Sequence, residues 1–259
     1  LCLLGCASTS NNRPTVIDYG PAPVLTGTVQ RAAVCIGVLS TKSVYGGKSL
    51  LCPGADVDMQ LCAQRCREAG ITNVTELLSF QATWGAVVHA VKNAVKDFDG
   101  PEDLLVVTLS GHGSRIPDYN GDESDGYDSA WCLADGAKVD DLVGEAIRGL
   151  RPCRILFTPD TCFSDQSWRA YVPFMGLDPE PVRMQPRSFE WGGTIVSPAS
   201  SRKDESSLGN TVGGQWTIAF WDEAWNQHPA TVREWFSIAK PMVSEQTPML
   251  STYGHPAAV

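Results

Sequence analysis

Three features of the sequence predict an α/β fold with a mostly parallel sheet of about six strands and helices on both faces. The runs Ala32–Leu39, Leu104–Ser110 and Cys153–Asp160 are apolar almost throughout, as strands buried on both faces must be. Segments with helical periodicity alternate with them, giving the β-α-β order of parallel sheets. The chain has 259 residues, 43% of them hydrophobic, enough for a substantial core.

Taken in order, residues 7–30 are rich in Ser, Asn, Pro, Thr and Gly and read as a tether. Ala32–Leu39 is the first strand, and a Gly-bearing loop leads from it to a helix over Ala55–Ala69. Val57, Leu61, Cys62, Cys66 and Ala69 mark that helix's apolar face, and Gly70 stops it. Asn73–Leu78 is a short second strand. Thr83 caps a helix whose inward face carries Trp84, Val87, Val88, Val91, Ala94, Val95 and Phe98. The strand at Leu104–Ser110 follows, then a short one at Ala130–Leu133, a helix over Val139–Leu150 and the strand ending at Asp160.

The second half is less regular. Residues 163–190 hold four prolines and read as a long surface loop. A strand is expected at 192–197, then helices over Gln215–Asn226 and Thr231–Ala239. Trp216, Trp221, Trp225 and Trp235 are expected in the core between those helices. One domain over residues 31–255 is expected, since no repeat or linker divides the chain.

A net charge of −9 argues against nucleic-acid binding, because no basic excess is available to neutralise phosphates. No apolar run reaches the ~20 residues a membrane-spanning helix needs. Leu3-Leu-Gly-Cys6 before a polar stretch resembles the end of a bacterial lipoprotein signal, with Cys6 as the lipidated residue. Without that anchor the chain is expected in the cytoplasm. The nine cysteines do not form a disulfide or zinc pattern, and all but Cys162 and Cys6 read as free thiols. No phosphate-cradling Gly-rich loop with Lys is present, so no cofactor is expected to be required.

Chemistry concentrates at two strand ends, where open parallel sheets form their sites. The strand at 104–110 runs into Gly111-His112-Gly113, and the strand at 153–160 into Thr161-Cys162. If the two strands are neighbours they lie ~5 Å apart, and a base, His112, meets a nucleophile, Cys162. The amides of Gly113 and Cys162 are the candidate donors to an oxyanion.

Ser110-Gly-His-Gly113, the acidic loop Gly121–Asp128 and Asp160-Thr-Cys-Phe-Ser164 resemble the signatures of the caspase-like peptidases, specifically the metacaspases. Cys52-Pro-Gly-Ala-Asp-Val-Asp58, Ile195–Ser200 and Gln246-Thr-Pro248 extend the resemblance over about residues 32–250. It implies a caspase-like three-layer sandwich, with a p20-like part at 31–165, a cleavage loop at 166–190 and a p10-like part at 191–255. The implied activity is that of a monomeric cysteine endopeptidase using a His112–Cys162 dyad. By position, Asp58, Asp160 and Ser110 match the family's pocket for the residue before the scissile bond. Two carboxylates select a cation, so peptide and protein substrates are expected to be cut after Arg or Lys.

The chain departs from the family at Phe163, Asp165 and Arg169. The first two replace the usual His and Gly beside the nucleophile; these departures support the alternative of a catalytically weak interaction or signalling module. As an EF-hand the loop at 118–128 fails, with Glu123 where the turn glycine belongs and Ser129 where the bidentate Glu belongs. The resemblance instead implies calcium as an activator, held by Asp128, Asp140 and Asp141. Arg169 stands where a fourth carboxylate is usual, so Asp165 would have to substitute. Self-cleavage is expected after Arg183 or Arg187, and should vanish in Cys162→Ala.

Overall fold

A computed structural model describes residues 28–41, 49–119, 121, 123, 125–165, 167–168 and 191–254. Its centre is one six-stranded sheet. The strands are β1 (Arg31–Gly37), β2 (Asn73–Leu78), β3 (Leu104–Ser110), β4 (Arg154–Asp160), β5 (Thr194–Ala199) and β6 (Met249–Tyr253). Their order across the sheet is β6-β5-β4-β3-β1-β2, all parallel except β6, which pairs antiparallel with β5. Strands from both halves of the chain thus share one sheet.

Both sheet faces are covered, which is why β1, β3 and β4 lack polar alternation. Val34, Ile36, Leu105, Val107, Ile155 and Phe157 face one way, toward α2 (Trp84–Ala94) and α3 (Asp140–Arg148). Ala33, Cys35, Val106 and Leu156 face the other, toward α1 (Ala55–Glu68), α4 (Gln215–Ile218) and α5 (Val232–Ala239). The Thr83 hydroxyl accepts from Ala86 N at the start of α2, as the sequence predicts. That helix ends at Ala94, and Phe98 is buried beyond it.

Two helices differ from expectation. In α1 the inward residues are Ala55, Asp58, Met59, Cys62, Ala63 and Cys66, while Val57 is 39% exposed. A carboxylate, Asp58, therefore takes an inward position on the first turn. The segment expected as one helix over 215–226 is α4, then a π-helical turn at Ala219–Ala224, then a 3-10 turn at Trp225–Gln227. A π turn carries an extra residue per turn; here it buries Ala219, Phe220, Trp221 and Ala224 together. Trp216, Trp221 and Trp235 are buried in the same aromatic cluster and Trp225 packs partly buried against it.

The strand expected at 130–133 is longer, Tyr127–Leu133, and is the middle of a three-stranded antiparallel meander with Gly113–Pro117 and Gly136–Val139. This meander springs directly from the His112 turn. All seven cysteines among the described residues are free thiols. No described helix is long and apolar enough to cross a membrane. The lipidation candidate Cys6, most of the expected tether and the cleavage-loop residues Arg169, Arg183 and Arg187 lie outside the described residues.

Candidate active site

Register alone brings the two strand ends together. In the β3–β4 ladder Ser110 stands opposite Asp160, so His112 and Cys162 each follow two residues beyond the same rung. Both line a cleft of about 310 Å³ with Leu51, Cys52, Asp58, Ser110, Asp160, Ser207 and Gly214. A second hollow lies between α2 and α3. It is lined by Trp84, Trp131, Phe157, Trp168 and aliphatic side chains, with Lys92 the one charged group among them. No nucleophile or base opens into it.

His112 Nε2 donates to the Leu51 carbonyl at 2.9 Å. A carbonyl can only accept, so the Nε2 proton is fixed and Nδ1 is left for proton exchange. The Cys162 thiol points at the Ser207 carbonyl, 3.9 Å away. Both side chains are half-buried. Cys52 lines the same cleft, but its thiol is pushed up to about 11, first by burial and then by Asp160, Asp58 and Cys162. It stays protonated at neutral pH and is a poor nucleophile.

The turn that carries His112 permits very close backbone approach. A Cβ on Gly113 would stand 1.9 Å from the Cys162 carbonyl oxygen and 3.1 Å from the Cys162 amide nitrogen. Only glycine fits, and the two candidate oxyanion donors belong to chain segments in direct contact. Immediately after the nucleophile, Phe163 has φ 58°, a left-handed conformation that costs a non-glycine residue energy. Its amide donates to the Glu205 carbonyl at 2.8 Å, fixing the turn.

Two buried carboxylates line the same cleft. Asp58 is 2% exposed and Asp160 6%. Asp58 accepts from the Ser110 hydroxyl at 2.5 Å and from Gly214 N at 3.0 Å to both oxygens. Asp160 Oδ1 accepts from Ser207 Oγ at 2.6 Å, and its Oδ2 from Thr217 N and Oγ1 at 2.9 and 2.8 Å. Gly214 sits between them: a Cβ there would meet Asp160 Oδ2 at 2.1 Å and Asp58 Oδ2 at 3.2 Å. Burial, then the neighbouring Asp160, pushes Asp58 up to about 7. Burial also raises Asp160, against the hydrogen bonds from Ser207 and Thr217 that favour its ionised form. Two carboxylates out of water strain to keep both charges, and a cation between them relieves that strain.

Sequence reasoning found Asp58, Ser110, His112, Asp160 and Cys162, which the fold gathers in one cleft. It missed the Leu51 carbonyl, Ser207, Gly214 and Thr217. These reach the site from distant parts of the chain and carry no local signal. The Gln246-Thr-Pro248 motif explains how Ser207 is held. Gln246 accepts from Leu208 N at 2.8 Å and donates to the Ser200 carbonyl at 3.1 Å. Thr247 donates to the Glu205 carboxylate through its amide at 2.8 Å and its hydroxyl at 3.1 Å. The C-terminal motif therefore pins the 200–208 loop beside the nucleophile.

The three expected calcium ligands are near one another. Asp140 is buried and pushed up to about 8, first by burial, then by Asp128, Glu123 and Asp141, with Lys203 opposing. The Lys203 ammonium is paired with Glu123 and lies 3.9 Å from Asp125. Among the described residues no three acidic, His or Cys side chains are arranged to hold one metal ion.

The fold is caspase-like. The chain matches the crystal structure of caspase-1 from Spodoptera frugiperda with a TM-score of 0.54 and 12% identity, over 87% of this chain and 86% of that one. It matches the crystal structure of protein GSU0716 from Geobacter sulfurreducens with a TM-score of 0.70 and 22% identity, over 88% and 94%. More narrowly, part of the chain is similar to metacaspases. Metacaspase-1B of Aspergillus niger is 38% identical over 84 residues, and metacaspase-1A of Aspergillus fumigatus 39% identical over 90. These segments are 30% and 32% of this chain, and only 19% and 22% of the relatives' own lengths. No family profile matches the chain.

Proposed function

We propose that this chain is a caspase-like cysteine endopeptidase of metacaspase type that cleaves peptide bonds after Arg or Lys. The observation that carries the reading is the shared cleft, which His112 and Cys162 line together with the Asp58 and Asp160 carboxylates. A guanidinium bonds such carboxylates through several N–H groups at once, while an Asp side chain would be repelled.

In this reading Cys162 gives its proton to His112 Nδ1 and the thiolate attacks the scissile carbonyl. The Gly113 and Cys162 amides stabilise the oxyanion. His112 then returns the proton to the leaving amine, and water hydrolyses the acyl-enzyme by the reverse use of the same base. The Leu51 carbonyl keeps the imidazole turned throughout, because it holds the Nε2 proton.

The test is cleavage of matched peptides with Arg, Lys or Asp before the scissile bond, by wild type and Cys162→Ala. Arg and Lys peptides should be cut and Asp peptides spared. Faster cleavage after Asp would overturn the pocket assignment. A wild type as inert as the variant would favour an interaction module. Calcium activation through Asp128, Asp140 and Asp141 is a separate proposal that rests on the resemblance and the carboxylate cluster. It predicts a fall of about tenfold or more in kcat under excess chelator. Unchanged turnover would dispose of it.

A further inference from the structure

One residue touches both the pocket and the nucleophile. The Ser207 hydroxyl donates to Asp160 Oδ1 at 2.6 Å, and the Ser207 carbonyl receives the Cys162 thiol at 3.9 Å. Its neighbours are pinned. The Glu205 carbonyl accepts from Phe163 N, and Leu208 is held through its amide by Gln246 and through its carbonyl by Gln215 N at 2.9 Å. Ser207 thus lies in a short span between fixed points, tethered to Asp160 by one hydroxyl bond.

The two oxygens of Asp160 are not equivalent. Oδ2 accepts from both donors of Thr217, whereas Oδ1 accepts from the Ser207 hydroxyl. A cationic side chain entering the pocket bonds at Oδ1 and competes with that hydroxyl. A charged donor outcompetes a neutral one. The Ser207 carbonyl meanwhile takes the thiol hydrogen of Cys162 and so turns it away from His112.

We propose that Ser207 is a positioning residue that makes the nucleophile responsive to the substrate. A guanidinium or ammonium at Asp160 displaces the Ser207 hydroxyl and draws the Ser207 carbonyl off Cys162 Sγ. The thiol proton then passes to His112 Nδ1, with no other reactant required. The inference rests on the peptidase reading and adds that side-chain recognition and thiol ionisation are one event. Peptides without a cation at that position would lose turnover as well as affinity.

The test is the rate of Cys162 alkylation by iodoacetamide, read by mass spectrometry from pH 6 to 9, with and without ethylguanidine. Ethylguanidine should speed alkylation about tenfold at pH 7 and move the midpoint of the pH profile down by about one unit. In Ser207→Ala the rate without ethylguanidine should already be raised, and its addition should change it by less than about twofold. A probe that inhibits Arg-peptide cleavage competitively but leaves alkylation unchanged or slower overturns the proposal and spares the peptidase reading. A probe that fails to compete overturns both. A pH midpoint in Ser207→Ala that still shifts with the probe would show that Ser207 is not the link.

Discussion

Asp58 carries a conflict that can be measured. It is buried on the inward face of a helix, held near pH 7 by burial and by Asp160, and satisfied by Ser110 and Gly214. In the unfolded chain an Asp titrates near 3.9. Between those two values the folded chain keeps a proton that the unfolded chain has lost. Stability from neutral Asp58 is therefore full below about pH 4 and is lost as pH rises through about 7. Asp58→Asn should be more stable than wild type at pH 8 by on the order of 1–3 kcal/mol, seen as a raised denaturation midpoint. The same variant should lose affinity for Arg peptides, because the amide carries no charge. In wild type, KM for an Arg peptide should rise as pH falls from 8 to 6, while the Asn variant's KM should stay flat over that range. Gly113→Ala should lower the denaturation midpoint and lose activity, since its methyl group would collide with the Cys162 carbonyl. Retention of more than about a tenth of the wild-type kcat would show that the contact relaxes harmlessly.

At the scale of elements, the pocket is a joint between α1 and the helical segment that begins with α4. Arg65 on α1 donates to the Trp221 carbonyl at 3.0 Å and pairs with Asp222 in the π turn and with Glu68 at 2.7 Å. The Trp221 indole in turn donates to Thr158 Oγ1 at 3.1 Å, two residues before Asp160 on β4. Arg65→Ala should cost about 1–2 kcal/mol, discounted for the partly exposed Asp222, and should raise KM for Arg peptides more than it lowers kcat. A stability loss without any change in KM would show that the joint does not reach the pocket. These links also mark the limit of sequence reading. The strand ends at Ser110 and Asp160 were legible because buried parallel strands are continuous apolar runs and sites form at their carboxyl ends. Asp58 was legible through the motif that precedes α1. Thr217, Ser207 and Leu51 were not, because each acts across a tertiary contact and two of the groups, the Leu51 and Ser207 carbonyls, are backbone atoms that any residue would supply. The π turn was hidden for a related reason. Its buried aromatic residues satisfy an ordinary helical pattern until packing demands an extra residue in the turn.

The described residues centre on one six-stranded sheet whose central strands, β3 and β4, lead to His112 and Cys162, the proposed base and nucleophile, with the other cleft residues brought from the flanking helices and the 200–208 loop. That division explains why the central strands were the clearest in the sequence and the second half the least clear. Strands β5 and β6 and the helices after them reach the site through loops, and loops keep no periodicity. It also means that the chemistry can be removed without disturbing the core. Cys162 is half-buried and its recorded hydrogen bond, to the Ser207 carbonyl, is long and weak. Cys162→Ala should therefore fold with a denaturation midpoint within about 0.5 kcal/mol of wild type. The most direct measurement of the central claim is kcat/KM on an Arg peptide and its Asp counterpart, for wild type and this folded variant. The account predicts cleavage of the Arg peptide by wild type alone, at least about a hundredfold faster than the Asp peptide. Equal cleavage of the two peptides, or Arg cleavage that survives in Cys162→Ala, would contradict it.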